Sequence, residues 1–283
     1  MWLTGLYWSL FRKEKSMKYL YLALSSIILA YIIIVLFTYL YQRKLLYHPS
    51  ENNYTGDEIQ FEYKEVFIGV DKDIKLKSWF LEKDLKKYKT ILYFHGNAGD
   101  LTNRVHKLNE LNKLNANILI ISWRGFSGNP GEPTEKNLYN DARKSVEWLN
   151  NTGVINKNII LYGESLGTGV ATELGQDNSF SGIVLESPFT SIADAAKIYY
   201  PYLPIDLLIK DRYDSLKKIK NINIPILIMH GKKDDVVPFK MGVELFEKAN
   251  NPKFSYFSDN DDHMMEFNDQ LMNVLRNFLG FNT

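Results

Sequence analysis

The 283-residue chain contains no cysteine. That excludes disulfides, thiolate nucleophiles and cysteine-ligated metals together. An excess of charge of one sign is also missing: 34 Lys and Arg face 33 Asp and Glu, leaving a net charge of +1. Such a balance gives no support for nucleic acid or another polyanion as partner. No internal repeat and no low-complexity linker interrupts the sequence. Histidine is scarce, at five residues, which narrows the search for a general base. No cofactor and no metal is expected. What the chain does have is apolar residues, 45% of the total, enough to bury a substantial core.

One long apolar run stands near the start. From Tyr19 to Tyr41 there is no charged residue, and Tyr19, Tyr21, Tyr39 and Tyr41 lie at the two ends. A helix needs about 20 apolar residues to cross the hydrocarbon core, and aromatic rings favour the interfaces. A cleaved signal peptide would have a shorter apolar part, about 7–15 residues, and a small-residue cleavage site. Tyr39-Leu40-Tyr41-Gln42-Arg43 offers no such site, and a core helix would need a polar face that the run lacks. The expected organisation is a flank over 1–18, a single transmembrane anchor over 19–41, and a folded domain over 42–283. Arg12, Lys13, Lys15 and Lys18 precede the run, while Arg43 and Lys44 follow it. By the positive-inside rule the N-terminus is cytoplasmic and the domain lies on the non-cytoplasmic side.

Beyond the anchor, short apolar runs alternate with helical patterns. Glu65–Gly69 and Ile74–Leu81 read as an antiparallel hairpin. Strands follow at Thr90–Phe94, Asn117–Ser122, Asn158–Tyr162, Gly182–Leu185, Pro225–Met229 and Phe254–Phe257. Between and after them, helices are expected at Asn103–Leu114, Thr134–Leu149, Leu166–Gly175, Lys240–Ala249 and Met265–Leu279. This pattern predicts an α/β fold, a mostly parallel sheet with helices on both faces. Ligands of such sheets bind at the carboxyl ends of the strands. The glycine-rich segments His95–Gly99, Arg124–Gly131, Gly163–Gly167 and Gly231–Pro238 fall there.

Gly163-Glu164-Ser165-Leu166-Gly167 follows one predicted strand and opens a helix. That context is a nucleophile elbow: a serine in a strained turn, its hydroxyl standing above the sheet. Glycines two residues either side let neighbouring backbones pass without a Cβ clash. A phosphate-binding loop would need other spacing and a lysine.

A serine nucleophile needs a base, and the base an orienting acid. On such an elbow the acid and then the histidine follow the serine in the chain. Only His230 and His263 come after Ser165. His230 ends a strand with no strong acid before it, and reads as support for the strand-end turn. His263 lies in a loop before the last helix and is the expected base. Asp234 and Asp235 both follow a strand; adjacent residues point in different directions, so one serves, and Asp234 is favoured. Asp259, Asp261 and Asp262 read as turn residues. Glu186 is a weaker alternative, with Asp194 and Asp206 in the segment after it. Negative charge developing on a substrate carbonyl needs backbone N–H donors. Leu166 follows the nucleophile and supplies one, and Asn97, in the turn after Thr90–Phe94, supplies the other.

These pieces together resemble a known family. The chain is similar to the α/β-hydrolase superfamily, in particular the membrane-anchored branch typified by alpha/beta hydrolase domain-containing proteins 13 and 17. The matching segments are Leu45–Pro49, His95–Gly99, Trp123–Gly128, Gly163–Gly167, Glu186–Ser191 and His230–Asp234. The resemblance covers about residues 42–280. It implies an α/β-hydrolase fold, a triad of Ser165, Asp234 and His263, and a small insertion at about 191–215. It also implies cleavage of carboxylic esters or thioesters, fatty-acyl groups among them, through an acyl-enzyme. Relatives carry a small pair such as Gly-Gly before the histidine; Asp261-Asp262 stands there in this chain, which puts the loop's shape in question. Tyr199, Tyr200, Tyr202, Leu203, Leu207 and Leu208 in the insertion would line an acyl pocket or pack on the sheet. The competing functions are a serine peptidase of the same fold and a non-catalytic membrane-anchored binding protein. No long substrate-recognition domain favours the first, and no missing triad member favours the second. The oligomeric state is not legible.

Overall fold

In a computed structural model, residues 2–50 and 57–280 are described, residues 2–12 by backbone alone. Met1, residues 51–56 and the last three residues of the expected 42–283 domain lie outside the described residues. The chain divides into two units, 1–42 and 43–283.

Helix α1 runs from Trp2 to Leu46. Within it, Lys13–Leu46 is long and apolar enough to cross a membrane, with a mean hydropathy of 2.7 and none of that window buried. The helix extends past the expected 19–41 at both ends and takes in the flank. The reason is local: no proline occurs before Pro49, and the leucines, lysines and methionine around the run are good helix formers.

The second unit is built on a sheet. Its elements are β1 (His48–Pro49), β2 (Lys64–Asp71), β3 (Ile74–Leu81), β4 (Thr90–Phe94), β5 (Ala98–Gly99), α2 (Val105–Leu111), β6 (Asn117–Ile121) and α3 (Glu135–Asn151). They continue as β7 (Ile159–Glu164), α4 (Leu166–Gly175), β8 (Gly182–Glu186), α5 (Ile192–Tyr199), α6 (Ile205–Leu208) and α7 (Ser215–Lys218). Last come β9 (Ile226–Gly231), α8 (Phe239–Lys248), β10 (Lys253–Ser258) and α9 (Asp269–Gly280). Eight strands form one sheet in the order β10-β9-β8-β7-β4-β6-β3-β2. The pairs β2–β3 and β3–β6 are antiparallel and the other pairs are parallel. The two short strands β1 and β5 pair with each other, in parallel, apart from that sheet.

Side chains alternate across the strands, so each strand feeds two cores. Leu92, Phe94, Leu119, Ile121, Leu161 and Leu185 face one core, which α3, α4 and α8 cover. Ile91, Tyr93, Ile118, Ile120, Ile160 and Tyr162 face the other, covered by α2 and α9. Each buried Leu or Ile contributes roughly 1.5–3 kcal/mol. That double burial is why the strands read as continuous apolar runs.

Two helices are shorter than their patterns. The segment expected as a helix over 103–114 begins with a 3₁₀ turn, Thr102–Arg104, before α2. The last helix begins at Asp269 rather than Met265, because the Asn268 side chain accepts the Leu271 N–H at 3.0 Å and caps it there. Met265 and Phe267 are nevertheless buried in the core.

The strand order places the site. From β4, the chain moves outward through β6 on one side, and through β7, β8, β9 and β10 on the other. The crevice between the carboxyl ends of β4 and β7 is therefore a topological switch point, where ligands of such sheets bind.

Candidate active site

Ser165 stands at the end of β7, immediately before α4. Its backbone has φ 49° and ψ −115°, outside the regions open to most side chains. Such a conformation costs of order 1–3 kcal/mol and persists where the surroundings over-determine it. Here the Ser165 N–H donates to the Glu186 carbonyl at 2.9 Å. The flanking glycines are steric necessities. A Cβ on Gly163 would lie 2.5 Å from the Gly167 carbonyl oxygen, and one on Gly167 would lie 2.0 Å from that of Phe94.

The serine hydroxyl donates to His263 Nε2 at 3.0 Å, and His263 Nδ1 donates to Asp234 Oδ2 at 2.8 Å. The sheet brings together three residues expected from the ends of β7, β9 and β10. Asp234 is buried and Asp235 is exposed. Asp234 Oδ1 accepts the N–H groups of Val236 and Val237 at 2.9 and 2.7 Å. Burial opposes ionisation of this carboxyl, but the donors His230, His263 and Val237 outweigh it and hold it well below the usual carboxylate range.

His230 is a member of the constellation that sequence reasoning left in a supporting role. Its Nε2 donates to Asp234 Oδ2 at 3.0 Å and to the Val237 carbonyl at 3.0 Å. It thus supports the turn after β9, as expected, and also fixes the acid. The spacing His230…Asp234 across the turn was the available signal.

The remaining acids have other partners. Asp259 pairs with Lys232 at 2.5 Å. Asp262 accepts the Met264 N–H at 2.9 Å, and the His263 carbonyl accepts the Ser187 hydroxyl at 3.0 Å. The Asp261-Asp262 pair therefore forms a turn that still directs His263 onto Ser165. Asp194 accepts the Ser191 hydroxyl at 2.7 Å at the start of α5, and Asp206 pairs with Lys197 at 2.8 Å.

Glu186, the alternative acid, belongs to a buried cluster under the elbow that the sequence did not disclose. Glu164 Oε1 meets Arg104 Nη2 at 2.9 Å and its Oε2 meets Lys107 Nζ at 3.0 Å. Lys107 also reaches Glu186 Oε1 at 2.7 Å. The Tyr93 hydroxyl donates to Glu164, and that of Tyr162 to Glu186 Oε2 at 2.5 Å. Two cations and two carboxylates are thereby buried in balance. Burial disfavours the Glu164 carboxylate, but Arg104 and Lys107 overcome this and keep it ionised. Because strand side chains alternate, Glu164 projects to the face opposite its neighbours Gly163 and Ser165. That alternation was legible, but its partners, Arg104 in the 3₁₀ turn and Lys107 on α2, were not.

The turn after β4 holds Asn97, the residue expected to supply the second oxyanion N–H. A Cβ on Gly96 would lie 3.5 Å from Ser165 Cβ, so the turn passes directly beside the serine. His95 beneath it is fully buried. Its Nδ1 donates to the Gly96 carbonyl at 2.8 Å, and its Nε2 accepts the Trp123 N–H at 3.4 Å. Burial, with help from Arg104, pushes its pKa down to about 3 and keeps the ring neutral. Leu166 opens α4, so its N–H has no acceptor within the helix.

A cavity of about 380 Å³ opens on these groups, lined by Gly96–Gly99, Asn103, Arg104, Glu164, Ser165, His263 and Met264. No residue of the insertion lines it. Tyr199 instead donates to the carbonyls of Asp235 and Val236 at 2.7 and 2.8 Å, and Leu203 is buried by packing. Of the two roles expected for the insertion, an acyl pocket or packing, the burial of Leu203 and Ile205 is packing.

The family model for the α/β-hydrolase fold matches residues 89–207. An uncharacterised protein of Mycobacterium tuberculosis is 33% identical over 223 residues, 78% of this chain and 79% of that protein. The lysophosphatidylserine lipase ABHD12 of Danio rerio is 32% identical over 232 residues, 71% of this chain and 60% of that one. The human alpha/beta hydrolase domain-containing protein 17B is 34% identical over 167 residues, 58% of this chain and 56% of its own. Among solved structures, an esterase of Pyrococcus furiosus superposes with a TM-score of 0.66 at 21% identity, over 83% of this chain and 98% of that one. With an elbow serine, strand-end carboxyl and loop histidine on this sheet, and relatives at this identity over most of its length, the chain belongs to the α/β-hydrolase family.

Proposed function

We propose that the chain is a membrane-anchored serine hydrolase that cleaves carboxylic ester or thioester bonds, fatty-acyl esters among them. The observation that carries this reading is the relay Ser165 Oγ, His263 Nε2, His263 Nδ1, Asp234 Oδ2, at 3.0 and 2.8 Å. In this reading His263 accepts the serine proton as Ser165 Oγ attacks the substrate carbonyl. The backbone N–H groups of Leu166 and Asn97 stabilise the resulting oxyanion. His263 then protonates the leaving alcohol or thiol. Water, deprotonated by His263, attacks the acyl-enzyme; the acyl–Oγ bond breaks, His263 returns the proton to Ser165 Oγ, and the acid is released. Asp234 holds His263 in the Nδ1–H tautomer that leaves Nε2 free to accept.

The anchor is the apolar helix over 19–41, with 42–283 as the hydrolase domain and 191–215 as its insertion. The basic residues before the span support a domain on the non-cytoplasmic side. A tethered enzyme meets membrane-associated substrates at high effective concentration. The lipid ester named for the Danio rerio relative supports the same class of substrate.

Hydrolysis of p-nitrophenyl esters of two to sixteen carbons by the full-length chain and by Ser165→Ala tests the reading. Activity that requires Ser165 and varies with chain length is expected. Activity on peptide bonds alone, or activity that survives Ser165→Ala, contradicts it.

A further inference from the structure

The segment that leaves the apolar helix is woven into the turn beside Ser165. The His48 N–H donates to the Asn97 carbonyl at 2.8 Å, and the Asn97 side-chain amide donates to the Leu46 carbonyl at 2.8 Å. The Ser50 N–H donates to the Gly99 carbonyl at 3.2 Å, and the Ser50 hydroxyl to Asp100 Oδ2 at 2.5 Å. These bonds form the parallel pair β1–β5, separate from the main sheet. The segment is itself tied down. Arg43 Nε donates to the buried Asp211 at 2.9 Å, and the Tyr47 hydroxyl meets that of the buried Tyr213 at 2.9 Å.

We propose that Arg43–Ser50 is a positioning element of the active site, which fixes the oxyanion turn. This rests on the reading of the Asn97 N–H as the second oxyanion donor. The turn needs outside support. Asn97 and Gly99 are only partly buried, Ala98 is exposed, and Gly99 has φ 81°. From within, the turn is held at Ala98, whose carbonyl accepts from Arg104 Nη2 at 3.2 Å, and at Asp100, whose N–H donates to Asn103 Oδ1 at 2.8 Å. At Asn97, both the carbonyl and the side chain are engaged by residues 46–48. The Gly96 carbonyl, in the same peptide plane as the Asn97 N–H, is held by His95 Nδ1 at 2.8 Å; fixing the Asn97 carbonyl and side chain as well restrains the residue on its other side, so that the N–H keeps one direction. An oxyanion donor works by preorganisation: removing one costs about 10²–10³ in kcat, and misdirecting one costs part of that. The chain immediately after the anchor therefore acts on the transition state, without touching substrate.

The test uses the full-length protein in detergent micelles, with p-nitrophenyl butyrate as substrate. His48→Pro deletes the N–H that holds Asn97, whereas His48→Ala keeps it. Ser50→Ala deletes the hydroxyl on Asp100, whereas Ser50→Thr restores one. His48→Pro is expected to lower kcat about tenfold or more with KM within about twofold of wild type. Ser50→Ala is expected to lower kcat about threefold or more, with recovery in Ser50→Thr, and His48→Ala, which keeps the N–H, is expected to lose less than His48→Pro. A purely structural strap would lower the unfolding temperature and leave kcat of the folded enzyme alone. Wild-type kcat in folded His48→Pro and in Ser50→Ala overturns the proposal; if His48→Pro does not fold, the Ser50 pair decides. Ser165→Ala separates the two readings: turnover that survives it removes the hydrolase reading, whereas Ser165-dependent turnover indifferent to these substitutions removes only the positioning role.

Discussion

His230 and His263 donate to the same oxygen of Asp234, Oδ2, at 3.0 and 2.8 Å. Asp234 Oδ1 meanwhile takes two backbone N–H groups, so the carboxylate has four donors and one orientation. The proposed acid is thus aimed by a second histidine lying wholly inside the protein. His230→Ala should lower kcat/KM about tenfold and cost about 2–4 kcal/mol, through the cavity and the lost donor. His230→Gln, whose Nε2 can replace the imidazole Nε2–H, should recover most of the activity. Ester hydrolysis and urea unfolding of both variants check this.

The cluster under the elbow predicts an asymmetric response. Arg104 and Lys107 balance Glu164 and Glu186, all four buried. Arg104→Leu leaves an uncompensated buried carboxylate and should cost about 3–5 kcal/mol. The Arg104→Leu, Glu164→Leu double variant, which removes both partners, should be more stable than Arg104→Leu alone. Urea unfolding of the three chains measures the difference.

Acid should weaken the fold from well above the carboxylate range, because of His95. Its folded pKa is about 3, against an ordinary value of 6.5. Between those values the unfolded chain binds a proton that the folded chain refuses, so stability falls as the pH drops through that window. The slope from this one group is about 1.4 kcal/mol per pH unit. Asp234 and Glu164, held below the usual range, act lower down: their contribution is present above about pH 4 and is lost as the pH falls below it. His95→Asn should flatten the slope between pH 6 and 4.5. Unfolding midpoints across that range test it; an unchanged slope would place the proton elsewhere.

Gly167 offers a purely steric prediction. With the Phe94 carbonyl oxygen 2.0 Å and the His95 carbonyl oxygen 3.0 Å from where a Cβ would sit, both of them backbone, Gly167→Ala has no flexible side chain to push aside. It should cost more than about 4 kcal/mol, an effect confined to a few mechanisms of which overpacking is one. Expression and thermal unfolding of that variant show it.

What the sequence disclosed follows from the range of the interactions. Alternation within strands and the glycines around Ser165 are local patterns, and they placed the sheet and the elbow. The order serine, acid, histidine then pointed to Asp234 and His263. Partners joined across the fold left no local mark: Lys107 lies on α2 and its carboxylates on β7 and β8, so nothing near it in the chain announces a buried cation. The start of the last helix was missed for a similar reason, since Met265 and Phe267 are apolar and buried without being helical. The insertion was rich in tyrosine, yet Tyr199 turns to the Asp235 and Val236 carbonyls rather than to the cavity.

The central claim is that Ser165 is a nucleophile made reactive by His263. Intact-mass measurement after treating the full-length protein with a fluorophosphonate tests it most directly. The account predicts one adduct per chain on wild type, mapped to Ser165, with none on Ser165→Ala and labelling slowed at least about a hundredfold in His263→Ala. A folded wild type that takes no adduct, or a Ser165→Ala chain that labels as fast, would contradict it.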